Sequence, residues 1–252
     1  MFTVWCLKIN CMLGIIQEEI MKRCCTQFLT EGLRSWMYGS SPLEIIMDRK
    51  QKNIEVCFNS RAEVEQDCMK WAAEIEPFFR PDLVIFIAKS GFLFARPLAE
   101  YFKCQMIDVI ASRQDNKAKD YIKKVIPWMP NWILAHMLKK RVSKPNYYKK
   151  SNRVVEGTSR FEHFDISNAN RILLVDDSVD TGWSLLKVQE YLDKNGAKGK
   201  YKTASYCVLS ESENRIKVDF YRFKDKIVIT ATSRYSREYK EFLNDYSLWK
   251  KE

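Results

Sequence analysis

The chain has 252 residues, of which 46% are hydrophobic and 29% charged, with a formal charge of +10. That length buries one substantial core and leaves room for a small appended subdomain. No uncharged apolar run reaches the roughly 18 residues a spanning helix needs, and the apolar stretch Met1 to Ile16 holds Lys8 and lacks a basic start and a small-residue cleavage site, which argues against a secretory signal.

In chain order, Met12, Ile15, Ile16, Ile20, Cys24 and Phe28 fall at helical spacing, ahead of a turn cluster at Gly39 to Pro42. Residues 1–60 therefore read as a helical N-terminal extension, with a short strand expected at Ile54 to Phe58. Residues 62–79 predict a helix carrying Val64, Cys68, Trp71, Ala72 and Ile75 on one face. Leu83 to Ala88 is an unbroken apolar run, as a strand covered on both faces requires. A helix follows from Phe92 to about Phe102, then a strand over Met106 to Ile110.

A long basic stretch separates these from a third buried strand, Ile172 to Val175, and a helix from Gly182 to about Leu192. Thr203 to Leu209 and Lys226 to Thr232 read as further strands. Alternation of strand and helix predicts an α/β fold with a parallel sheet and right-handed crossovers.

The eight cysteines contain no CxxC pair, and buried thiols in a reduced, cytoplasmic protein are expected. With two histidines and no cysteine pairs at ligand spacing, zinc has little support, and any metal should be a hard ion held by oxygens. The positive charge points to nucleic acid, an anionic membrane or a polyanionic small substrate. No nucleic-acid motif is present, and the cations gather in one stretch, which favours the small polyanion.

In open α/β sheets, ligands collect at the carboxyl ends of strands. There stand Asp176, Asp177, Ser178, Val179, Asp180, Thr181, Gly182, Trp183 and Ser184. Amides and hydroxyls at a helix start suit a phosphate, while adjacent carboxylates repel one. A ribose between them, offering hydroxyl donors, reconciles the two. The alternative is a strand–turn–helix in which Asp177 or Asp180 merely caps the helix.

Aliphatics, two acids and then Thr-Gly-x-Ser resemble the signature of the type I phosphoribosyltransferases. The resemblance covers about residues 80–235 and implies that fold, with a hood and a flexible loop, here an enlarged basic insertion at 113–160 within a domain at 61–252. It implies that Asp176 and Asp177 bind the ribose hydroxyls and hold magnesium indirectly, through those hydroxyls or water. Asp180 to Ser184 would wrap the 5-phosphate, and Asp180 is a candidate general base. Trp183 stands where Lys, Arg or Gly is more usual and would pack over the loop or against a neighbour.

The second loop, Ala88-Lys89-Ser90-Gly91, matches the family's pyrophosphate loop, with Lys89 neutralising the leaving group and the Ser90 and Gly91 amides reaching its oxygens. Purine-using relatives often have a cis peptide there. The implied reaction is magnesium-dependent transfer of a 5-phosphoribosyl group from phosphoribosyl pyrophosphate to a small acceptor, most readily a purine. The segment Val218 to Ile229 resembles the region that closes over the base in 6-oxopurine enzymes. Three residues depart from that pattern: Leu209 for the base-reading Lys, Ile227 for the stacking aromatic, and Ser233 for a metal-binding Asp. These departures leave open a binding or regulatory protein that keeps the pocket without catalysis, or a lipid- or saccharide-linked acceptor.

In residues 123–141, cation clusters flank on both sides an apolar stretch holding Pro127, Trp128, Met129, Pro130 and Trp132. They read as a helical insertion packed on the core with a solvated basic rim. A peripheral contact of 123–150 with anionic lipid, with Trp128 and Trp132 at headgroup depth, is the second reading, and a dimer contact the third. The resemblance also implies a homodimer.

Overall fold

A computed structural model describes residues 54–113, 130–144, 147 and 153–252. The expected helix over 12–38, Trp128 and the rest of residues 114–129 lie outside the described residues.

The chain runs through β1 (Glu55–Phe58), α1 (Arg61–Ile75), β2 (Leu83–Ala88), α2 (Phe92–Phe102), β3 (Gln105–Arg113), α3 (Asn131–Val142), β4 (Arg153–Gly157) and α4 (Ser159–His163). It continues through β5 (Ile172–Val179), α5 (Trp183–Leu192), β6 (Tyr201–Val208), β7 (Phe220–Lys224), β8 (Lys226–Ile229) and α6 (Tyr239–Trp249). Ser60 starts α1 because its hydroxyl accepts from the Glu63 amide while Glu63 reaches back to the Ser60 amide.

Six strands form the main sheet in the order β4-β3-β2-β5-β6-β7, parallel except for the β3–β4 pair. The apolar runs in β2 and β5 face a core on each side. Val84, Phe86, Leu173 and Val175 pack with α1, α2 and α6, whereas Leu83, Ile85, Ile172 and Leu174 pack with Leu185, Val188 and Leu192 of α5. Alternate side chains of a strand point to opposite faces, so helices on both sides require this doubly apolar pattern.

Several elements differ from the sequence expectation. Residues 153–160, read as the end of the insertion, supply β4 and the start of α4; β4 pairs antiparallel with β3, placing Arg153 opposite Arg113. An edge strand can reverse direction without disturbing the buried parallel strands. The sequence reading placed no strand at β7, which pairs with β6 at the far edge and is only partly buried. Finally, Glu55–Phe58, assigned to the extension, pairs in parallel with β8 as a separate two-stranded sheet.

α3 packs against that small sheet: Leu134 and Leu138 meet Ile229, and Val142 meets Leu209 and Ile54. Lys139 and Lys140 on its other side are exposed, and Trp132 is 70% exposed. The described residues 131–142 thus form a helix packed on one side, with exposed lysines on the other. No helix among the described residues is long and apolar enough to cross a membrane.

Candidate functional site

The strand order places the site. From β2 the chain moves outward to β3 in one direction, while β5 lies on the other side of β2 and leads to β6. The loops leaving β2 and β5 therefore diverge, and a crevice opens at their carboxyl ends, the switch point where such sheets bind ligands.

A cavity of about 200 Å3 occupies this crevice. Ser90 lines it from the β2 loop, Arg153 from β4, and Asp176, Asp177, Ser178, Asp180, Thr181, Gly182 and Ser184 from the β5 loop. Asp176 is buried, and its Oδ1 accepts the Asp177 amide at 3.0 Å. Burial pushes the Asp176 carboxyl well above the ordinary carboxylate range, and the neighbouring Asp177 charge pushes it further. Burial also raises Asp177, although its hydrogen bonds to Asp176 and Ser90 oppose that. Two desolvated carboxylates at one strand end are costly unless a ligand supplies donors or a cation.

Beyond them Gly182 takes a left-handed conformation at φ 78° and turns the chain into α5, so that the helix start faces the cavity. The first amides of a helix lack intrahelical partners, and together with the hydroxyls of Thr181 and Ser184 on the lining they can accept an anion. The cavity thus has an acidic end and an anion-accepting end.

The second loop is placed only partly as expected. The Ala88–Lys89 peptide is cis, and Ser90 lines the cavity, but the Lys89 side chain is exposed and outside the lining. In the tight turn after β2, Gly91 lets the chain approach the Ile87 carbonyl; a Cβ on Gly91 would lie 2.7 Å from that oxygen. Gly91 itself caps α2 and does not line the cavity. Trp183 is also outside the lining; its ring lies under the Arg215 guanidinium at 5.1 Å, and Arg215 donates to the Thr181 carbonyl at 3.1 Å. Trp183 therefore braces the loop from behind.

A second cavity, about 190 Å3, shares Asp177, Ser178 and Asp180 with the first. Phe94, Arg141, Tyr147, Ile227 and Ser233 are among its other walls. The Tyr147 hydroxyl donates to the Asp180 carboxylate, and the Arg141 guanidinium lies 5.3 Å from the Tyr147 ring centroid. A larger groove of about 880 Å3 lies at the other end of the sheet, between the start of β3 and α6. It is remote from the strand ends that carry the acids.

The phosphoribosyl transferase domain family matches residues 59–240. The chain belongs to that family.

Among solved structures, the xanthine-guanine-hypoxanthine phosphoribosyltransferase of Helicobacter pylori superposes with a TM-score of 0.50 at 14% identity, covering 75% of this chain and 99% of that one. The purine phosphoribosyltransferase of Pyrococcus horikoshii gives 0.48 at 18% identity, covering 70% and 92%. A curated relative, ribose-phosphate pyrophosphokinase 5 of Schizosaccharomyces pombe, is 33% identical over 85 residues. That match spans 33% of this chain and 24% of the relative.

Within this phosphoribosyl transferase domain, the β5-loop residues the sequence points to line the cavity except for Trp183, and Arg153, Arg141 and Tyr147 join them from outside that motif. All three belong to the basic stretch, and its cation density was the only signal for the two arginines. Gly182 has a role that substitution exposes: a Cβ there would lie 2.7 Å from Ile216 Cγ2, on a backbone conformation that side chains resist. Gly182→Ala should cost on the order of 2 kcal/mol of stability. Urea unfolding checks this, and an unchanged midpoint would show the loop to be more compliant than its packing indicates.

Proposed function

We propose that the chain transfers the 5-phosphoribosyl group of phosphoribosyl pyrophosphate to a purine base, releasing pyrophosphate in a magnesium-dependent reaction. The observation that carries this reading is the first cavity, in which Asp176 and Asp177 stand beside the Thr181–Ser184 cradle. The carboxylates would accept the ribose hydroxyls, and the cradle would hold the 5-phosphate. Breaking the anomeric bond leaves positive charge on the sugar and negative charge on the pyrophosphate. Acids beside the sugar and a cation, Arg153, beside the leaving group would stabilise both.

Among the described residues, no cluster of three or more His, Cys, Asp or Glu side chains could cage a metal. This donor set fits magnesium, which takes one or two carboxylates and completes its shell with substrate oxygens and water. Asp176 and Asp177 would hold it through ribose hydroxyls or water, where it would neutralise the pyrophosphate.

The acceptor would enter the second cavity and give its ring proton to Asp180. At about 190 Å3 that space is smaller than the roughly 300 Å3 at which drug-sized pockets begin, which favours a single heterocycle over a lipid- or saccharide-linked acceptor. The hydrogen bond from Tyr147 to Asp180 favours a second reading, a pocket kept for binding without turnover. Pyrophosphate release, measured with donor, magnesium and a panel of purine bases, separates the two. Turnover with at least one base is expected; tight donor binding without turnover on any base would leave the binding reading.

A further inference from the structure

The formal charge of +10 is concentrated in one part of the chain. Residues 113–153 hold twelve of the 42 Lys and Arg and two of the 32 Asp and Glu, so this stretch carries all of the net charge and the remainder is neutral. Within it, α3 has no acid and ends on Lys139, Lys140 and Arg141, with Lys144 one turn beyond Lys140. Residues four apart lie one above another on a helix, and α3 divides accordingly. Leu134, Leu138 and Val142 form the buried ridge, packed with Ile229 and Leu209. Trp132, His136, Lys140 and Lys144 form the opposite ridge and are all exposed, Trp132 by 70%, with exposed Met137 and Lys139 beside them. A small polyanion accounts for Arg153 and Arg141, which line the cavities at the strand ends. It does not account for Trp132, Lys139, Lys140 and Lys144, which line neither cavity. Glu55, which is within electrostatic range of Lys139, already has the Lys226 ammonium at 2.9 Å.

We propose that this exposed ridge of α3 docks the protein on an anionic lipid bilayer. Each cation brought close to an anionic leaflet strengthens binding about fivefold, so the cluster Lys139, Lys140, Arg141 and Lys144 holds a protein at a surface where a single lysine does not. An indole settles at headgroup depth because its body is apolar and its N–H is polar. Trp132 at the start of the ridge and the lysines at its end therefore supply both kinds of contact along one line. Single-stranded nucleic acid, the other macromolecular polyanion, is held in cationic grooves with its bases stacked on aromatic rings. This ridge is instead the convex side of one helix. The helix that docks also walls the second cavity, through Leu138, Arg141 and Val142, so docking brings that cavity to the membrane. Docking itself requires nothing of the transfer reaction.

Co-sedimentation of the full chain with lipid vesicles tests this. The protein should pellet with vesicles of phosphatidylcholine mixed with phosphatidylserine and not with phosphatidylcholine alone, and added salt should release it, because exposed charges are screened. Lys140→Gln together with Lys144→Gln should weaken binding about 20-fold, at about fivefold for each lysine. Brominated lipid should quench the fluorescence of wild type more than that of Trp132→Ala, which keeps the other tryptophans. These three side chains are exposed, so the variants should fold, and circular dichroism would verify that. Failure to pellet with the anionic vesicles, pelleting that the lysine variant retains in full, or equal quenching in Trp132→Ala would overturn the proposal. Binding of single-stranded RNA through the same lysines, without vesicle binding, would overturn it in favour of nucleic acid.

Discussion

Replacing Asp176 and Asp177 together with Asn is expected to make the empty protein more stable at neutral pH while abolishing its activity. Burial raises the pKa of both carboxyls in the folded chain, most strongly Asp176. In the unfolded chain an aspartate titrates near 3.9. The folded state therefore holds more protons between that value and the raised folded ones, and stability falls as pH rises through this window. Above the raised folded values the folded protein bears the full penalty of two desolvated charges. Asn keeps the shape and removes the charge, so the double variant should gain on the order of 1 kcal/mol. Thermal melts at pH 5 and pH 8 report this: the wild-type melting temperature should drop relative to the variant between the two. Parallel melting curves would mean that the carboxylates are not desolvated as their burial indicates. The same charges that destabilise the empty fold are those the ribose and magnesium would satisfy, a stability–function trade-off.

Arg153→Ala should lower kcat by about 100-fold, the scale on which removal of a charge-stabilising donor acts in a transition state. Arg153 lines the cavity with both acids, whereas Lys89 is exposed and outside the lining. Lys89→Ala should accordingly change kcat by less than about threefold, the range of an exposed charge. Steady-state kinetics on the two variants decide between the cations. The reverse order, a large loss at Lys89 and a small one at Arg153, would return the leaving group to the β2 loop.

This contrast also shows how far the chain could be read before its structure. β2 and β5 declare themselves because a strand with helices on both faces needs apolar residues at consecutive positions, and Leu83 to Ile87 and Ile172 to Val175 supply them. The β5 loop was legible because its acids and its Thr-Gly are adjacent in sequence and have opposite preferences. Arg153 carries no such local sign. It reaches the site only because β4 reverses direction and pairs with β3, opposing Arg153 to Arg113. Arg141 and Tyr147 depend similarly on α3 docking against Ile229 and Leu209, contacts between distant segments. Leu209 and Ile227 stand out in the sequence as departures from the resembled pattern, but the packing of α3 against Leu209 does not show there. Trp183 took its place in the motif, yet its partner Arg215 lies on a separate turn and turns the ring behind the loop.

The central claim is that the crevice between β2 and β5 holds a phosphoribosyl pyrophosphate. Isothermal titration of that donor with magnesium into the full chain tests it most directly. Saturable binding at one site per chain is predicted, competed by pyrophosphate and weakened on the order of 100-fold in the Asp176→Asn, Asp177→Asn double variant, since each carboxylate contributes charged hydrogen bonds. Absence of binding, or binding that the double variant retains in full, would contradict the account.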